Sequence, residues 1–212
     1  MAELDPVQTI AVFAIAAFFI IWYYGAFVYS RRLAARVARE LKDAVLALGG
    51  TSQIRWFGTG AFRMTTEGAT APFREFSVTV TLRPREMPIN WAIGKAQRRQ
   101  DAALVEASLQ KEPKVAFELV DPTTRIGQRR KRAQSVWSPV TIGARNWLLA
   151  ADDEDRVRRL LESLGPEALL TIMALHVSAG STPGVAASIS VKPTDAAQGL
   201  TTIRTLANRL VG

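Results

Sequence analysis

The chain has no cysteine and a single histidine, His176. The first absence excludes disulfides and cysteine-ligated metals. The second excludes a multi-histidine metal site. Charge is missing from one long stretch, since no Asp, Glu, Lys or Arg stands between Asp5 and Arg31. Lysine and arginine are missing from everything before Arg31. Catalytic and cofactor motifs are missing as well. There is no G-x-x-x-x-G-K-[ST] phosphate loop, no G-x-G-x-x-G fingerprint and no G-x-S-x-G nucleophile elbow. Nucleotide binding and a serine-nucleophile site therefore have no support in the sequence.

What fills the uncharged stretch is VQTIAVFAIAAFFIIWYYGAFVY, Val7 to Tyr29. A bilayer core takes about 20 apolar residues of helix, so the run spans with allowance for tilt. A core helix of a soluble domain is rarely apolar all round for so long. A cleaved signal peptide needs a basic start, and MAELDP carries two acids instead. The run therefore predicts a transmembrane helix. Arg31, Arg32, Arg36, Arg39 and Lys42 follow it at once. The positive-inside bias then sets the N-terminus outside and the remainder in the cytoplasm, at the inner membrane. Trp22, Tyr23, Tyr24 and Tyr29 cluster toward the cytoplasmic end, where amphipathic rings favour headgroups. Ala11, Ala14, Ala16, Ala17 and Gly25 allow close helix packing but form no clean small-xxx-small stripe. A lone anchor facing lipid and a dimer seam both stay open.

The expected organisation is a short extracytoplasmic tail at 1–6 and a transmembrane helix at 7–29. A juxtamembrane amphipathic helix at 30–50 and a cytoplasmic α+β domain at 51–212 follow. That domain is long enough for a core of its own. All 27 basic residues and all but two of the 19 acids follow the anchor. This part therefore carries roughly +10, which suits an anionic neighbour: a leaflet, nucleic acid or an acidic protein.

Periodicity sketches the domain. Leu33, Val37, Leu41, Val45 and Leu48 recur at helical spacing, and Gly49-Gly50 stops that helix. Residues 53–57 and 61–66 flank Gly58-Thr59-Gly60 as a hairpin. Phe76, Val78, Val80 and Leu82 alternate with polar residues, the pattern of a half-buried strand. Residues 103–109 and 115–120 read as two strands joined through Lys111-Glu112-Pro113. Residues 146–151 read as a central strand. Asp152 to Asp155 open a helix running to Leu164, and Pro166 starts a short second one. Val185, Ala187, Ile189 and Val191 alternate as a last strand, and 195–210 form a C-terminal helix. Strands followed by helices predict an α+β domain with a mainly antiparallel sheet. The segment 174–183 gives no clear pattern.

This order of anchor, basic helix, strand meander and WLLAADDEDRVRRLLESLGPEALL, closed by a strand and a helix, resembles uncharacterised single-pass membrane-anchored prokaryotic proteins. The resemblance covers 145–211 as a pattern. It implies no activity and no site residue.

No catalytic, cofactor-binding or metal-binding residue is assigned. The acids at 152–155 fit the first turn of a helix, where carboxylates face the positive end of the dipole. A cation site there lacks further acids at loop spacing, because Arg156, Arg158 and Arg159 follow. His176 reads as a structural or surface residue. Two basic segments hold more interest. RPREMPINWAIGKAQRR at 83–99 sets Trp91 among cations that include Arg98 and Arg99. RIGQRRKRAQSVWSPVTIGAR at 125–145 has no acid, and carries Arg129, Arg130, Lys131, Arg132 and then Trp137. Such a long connection is functional, mobile or simply solvated. Cations beside an indole suit anionic headgroups, and they also suit phosphates and bases. The anchor favours lipid or another membrane-complex subunit over nucleic acid.

The expectation is a non-catalytic, membrane-tethered interaction or scaffolding module. Its membrane-facing surface would comprise Arg31, Arg32, Arg36 and Arg39 with both basic segments. An accessory subunit of a larger membrane complex is the first alternative. A tethered enzyme built from dispersed groups such as Asp152, Asp153 and His176 is the second.

Overall fold

The computed structural model describes residues 6–133, 136–165, 167–191 and 196–212. The tail expected at 1–6 lies outside them but for Pro6, as do Pro166 and Asp195, the expected starts of two helices.

Helix α1 (Pro6–Leu46) runs unbroken for 41 residues. Proline suits its first position, where the missing N–H leaves no bond unmade. The anchor segment and the amphipathic segment are thus one rod, long and apolar enough at its N-terminal half to cross a membrane. Its two halves differ in burial. From Ile10 to Ile21 every side chain is exposed. From Ser30 onward a helical stripe of Ala34, Val37, Ala38, Leu41 and Val45 is buried. Gly49 and Gly50 then turn the chain, with φ of +72° and +74°. A Cβ on Gly50 would meet the Glu67 carbonyl at 2.2 Å, so only glycine fits that turn.

The strands are β1 (Thr51–Trp56), β2 (Ala61–Glu67), β3 (Phe73–Thr81), β4 (Ala102–Leu109), β5 (Phe117–Val120), β6 (Ser138–Ile142), β7 (Arg145–Ala151), β8 (Ile172–Val177) and β9 (Val185–Ser190). They form a 9-stranded sheet in the order β1-β2-β3-β4-β9-β8-β5-β7-β6. All neighbours are antiparallel. The helices beyond α1 are α2 (Pro88–Ala96), α3 (Arg125–Ala133), α4 (Glu154–Ser163) and α5 (Ala196–Val211). The α+β class with an antiparallel sheet is therefore what the chain adopts.

Several details differ from the sequence expectation. β4 and β5 are not neighbours, because β9 and β8 insert between them. β7 lies next to the edge strand β6, not at the centre. Both basic segments hold a helix where loops were expected, α2 and α3. Segment 174–183 begins inside β8, and the second short helix is a 3-10 turn at Ala168–Thr171. Alternation and charge pattern report burial, and they do not report which strands pair across long connections.

One face of the sheet carries the core. Phe62, Val78, Val80, Val105, Leu119, Leu149, Leu175 and Ile189 lie there, under α1, α4 and α5. The other face is polar along β1–β4, where Arg63 donates to Ser77 at 3.0 Å and pairs with Glu106 at 3.3 Å. Helix α3 covers part of that second face, against β5 and β8.

Register also defines two ends. Ala61 pairs with Thr81, Ala102 with Ser190, Val120 with Ala174 and Ile142 with Arg145. One end, called the upper end here, therefore gathers the β1–β2 turn, the 82–101 connection with α2, and the start of α3. The opposite, lower end gathers the starts of β1 and β6, the β7–α4 junction and the β8–β9 turn.

Candidate membrane-facing surface

The exposed half of α1 leaves the domain at the upper end, and one arginine holds it there. Trp22 Nε1 donates to the Arg85 carbonyl at 3.0 Å. The Arg85 guanidinium is nearly buried and binds Asp101 Oδ2 at 2.6 Å through Nη2. Its Nη1 donates to the Arg83 carbonyl at 2.9 Å. The same guanidinium lies 5.5 Å from the Tyr29 ring centroid, a cation–π contact. The Arg83 backbone N–H adds a bond to Asp101 Oδ1 at 2.8 Å. Asp101 stands just before β4, so this cluster ties the rod to the sheet. A buried cation this well paired and hydrogen-bonded is tolerated, whereas an unpaired one is not.

Helix α2 stands beside the same point. Proline at its start pre-sets the first turn. Its C-terminal turn closes with Arg99 N–H on the Gly94 carbonyl at 2.9 Å, with Arg98 at φ 51°. Trp91 meets Trp22 edge to face, ring centroids 5.7 Å apart. Lys95 Nζ lies 5.3 Å from the Trp91 centroid. The outer side of the helix is apolar and bare, with Ile89 65% and Met87 53% exposed. Ile93 is exposed as well. The β1–β2 turn adjoins it, since Thr59 Oγ1 donates to Glu86 Oε1 at 3.1 Å. That turn presents Trp56 and Phe57, both exposed, with Arg55 over the Phe57 ring.

The sequence-derived contact residues fall into separate places. Trp91, Arg98 and Arg99 sit at the upper end beside the rod. Arg31, Arg32, Arg36 and Arg39 are exposed on α1 where it runs down the sheet. Arg129, Arg130, Lys131 and Arg132 lie on α3, across the opposite face, where Arg130 pairs with Glu118 at 3.4 Å. Trp137 is half-buried just before β6, at the lower end. The surface expected from α1 and both basic segments is thus divided, because α1 and α3 pack on opposite faces, although the 83–99 segment and the start of α3 meet at Gln97 and Arg125. Charge density could not show this, since it carries no information about faces. In the sequence Arg85 is legible only as one cation of the 83–99 segment, and Trp56 and Phe57 only as strand residues, while Asp101 was missed. Pro88 followed by Ile89 and Ile93 at helical spacing was the one signal that would have found α2.

An open cavity of about 250 Å³ opens at the upper end among Leu82, Pro84, Arg98, Arg99, Arg125 and Ile126. Gln97 bridges the two helices there, accepting from Arg125 at 2.8 Å and from Arg99 at 3.1 Å. At the lower end a depression of about 380 Å³ brings His176, Asp152, Glu154 and Glu118 together. Asp153 does not line it, because its carboxylate caps α4 by accepting from Arg156 N–H at 3.0 Å. The N-capping expected of the 152–155 acids is therefore observed at Asp153. Among the described residues no group of three or more His, Asp or Glu is placed to hold a metal ion.

Compared with known proteins, the chain matches no family model and no curated protein.

Proposed function

We propose that this chain is a membrane-anchored, non-catalytic interaction module. Helix α1 crosses the inner membrane once, N-terminus outside, and the sheet domain stands in the cytoplasm against the inner leaflet. One observation carries the proposal: α1 is uncharged and exposed on all sides from Ile10 to Ile21, outside any protein core. So much bare apolar surface has lipid as its natural solvent. Trp22, Tyr23, Tyr24 and Tyr29 follow as an interfacial belt, and Arg31, Arg32, Arg36 and Arg39 set the cytoplasmic side. Exposed Lys95, Arg98 and Arg99 at the upper end suit anionic headgroups. Nucleic acid fits less well, since α3 holds the densest basic run and has no aromatic ring for bases to stack on.

Protease protection tests the topology. Protease added to intact spheroplasts should remove an N-terminal tag and leave residues 30–212 whole. Digestion of the sheet domain from outside would overturn the orientation.

The exposed basic run on α3, Arg129 to Arg132, favours a second reading, an accessory subunit of a larger membrane complex with an acidic partner. Native mass spectrometry of the detergent-purified full chain separates the two. A stoichiometric protein partner supports the subunit, and a chain carrying only anionic lipid supports the lone module.

A further inference from the structure

The attachment of the domain to α1 lies too far up the apolar run for the domain to hang clear of the bilayer. At about 1.5 Å per residue, Trp22 is about 22 Å along the helix from Val7 and about 13 Å from Arg31. The hydrocarbon core is about 30 Å thick, with about 5–8 Å of headgroup layer on each side. A core that begins at Val7 therefore ends past Trp22, near Phe27. Measured from the other side, Arg31 among the headgroups leaves Trp22 at or inside the edge of the core. A tilt of about 20° shortens these distances by only a few per cent. Both limits bring the groups bound to Trp22 to membrane depth, and those groups are the Arg85 carbonyl and Trp91.

The surface found at that depth is mainly apolar, with the Glu86 carboxylate satisfied by Thr59 Oγ1 and the Arg85 N–H and with Arg55 over the Phe57 ring. Ile89 and Ile93 project from α2 with Met87 just before it, Phe57 opens the adjacent β1–β2 turn, and Trp56 ends β1 half exposed, its ring against Phe62. No acid lies in Pro88–Ala96. The exposed cations of the 83–99 segment, Lys95, Arg98 and Arg99, come at and after the end of the helix. Apolar side chains on one side with basic residues at the rim are the composition of a helix that lies in the bilayer interface.

We propose that the upper end of the domain is itself inserted in the leaflet. Helix α2 and the β1–β2 turn form a second, monotopic membrane contact beside the spanning segment of α1. Ile89, Ile93 and Phe57 lie among the upper acyl chains, and Lys95, Arg98 and Arg99 bind headgroup phosphates. The proposal rests on the reading of α1 as a spanning helix. It differs from an electrostatic contact, since the embedded surface is hydrophobic and the dense basic run on α3 takes no part.

Site-directed spin labelling of the full chain in anionic nanodiscs tests it. The protein has no cysteine, so each single-cysteine variant carries one label. Labels go at Phe13, Phe57, Ile89 and Ile93, with Ala179 in the lower β8–β9 turn as the aqueous reference. Two positions on α2 keep the test usable if one variant fails to fold. The expected result is an oxygen-to-nickel accessibility ratio several-fold above the reference at Phe13, Phe57 and at least one α2 position. A high ratio at Phe13 with Phe57 and α2 at the reference value overturns insertion and leaves the span standing. Reference values at all positions overturn both. Labels on α2 shielded from both reagents would mean a protein neighbour covers it, which also overturns the lipid assignment.

Discussion

Arg85 is the residue on which the attitude of the domain depends. Its side chain is 9% exposed and answers Asp101, which is 13% exposed. Replacing it with alanine leaves the partly buried Asp101 with only Arg83, through its backbone N–H at 2.8 Å and its Nε at 3.6 Å, and strips Tyr29 of its cation. The loss should be about 1–3 kcal/mol, since Arg83 still answers the carboxylate. Arg85→Ala should therefore melt well below the parent protein in detergent, read by circular dichroism. Arg85→Lys should recover only part of the loss, because an ammonium lacks the planar fork. A melting temperature unchanged in Arg85→Ala would show that the knot does not hold the domain. Asp153 makes a smaller, separable contribution. Asp153→Ala removes the α4 cap and should cost about 1 kcal/mol, while Asp155→Ala should cost clearly less in the same melts. Equal effects would mean that the acids act by charge alone. The acidic run was legible in sequence as a helix start. Which of its members caps depended on where the first turn begins.

At the scale of elements, α1 is a rod with two environments, and its lower half behaves as a core helix. Leu41 is fully buried on the side of α1 that packs on α5 and β2. Leu41→Ala should destabilise by about 2–5 kcal/mol, the usual range for such cavities. Denaturant unfolding of the detergent-solubilised chain measures it. The rod also fixes rotation. One residue inserted after Tyr29 turns the upper half by about 100° relative to the stripe that begins at Ser30. The sheet should remain folded, while the Trp22–Trp91 contact and its near-ultraviolet dichroism disappear. Survival of that signal would show that the helix is not continuous in solution. The stripe Val37, Leu41, Val45 was readable from its period because one side of the helix packs on α5 and β2 while the other stays exposed. Helices α2 and α3 were not readable in the same way. In α2 the apolar residues face outward, and α3 is nearly all polar, so neither shows a buried face.

Taken whole, the molecule has a polarity along the strands. The upper end carries the rod, α2 and the β1–β2 turn, and the lower end carries His176, Asp152 and Trp137. A strand the length of β3, with 9 residues, spans about 30 Å. Energy transfer from a dye at Ala179 to headgroup acceptors in nanodiscs should therefore be far weaker than from a dye at Thr59. Similar transfer from both would mean that the sheet lies flat along the leaflet. The primary structure by itself determined the apolar rod, its charge asymmetry, the antiparallel α+β class and most strand positions. These depend on local composition and on the periods of helix and strand, which neighbours along the chain encode. The tertiary structure alone decided that β8 and β9 separate β4 from β5, and that the basic residues of α1 and the basic run of α3 lie on opposite sides of the sheet. It alone brought Trp22, Arg85, Asp101 and Trp91 to one point. Those facts follow from long-range pairing and helix packing, in which residues far apart in sequence compete for the same buried surface.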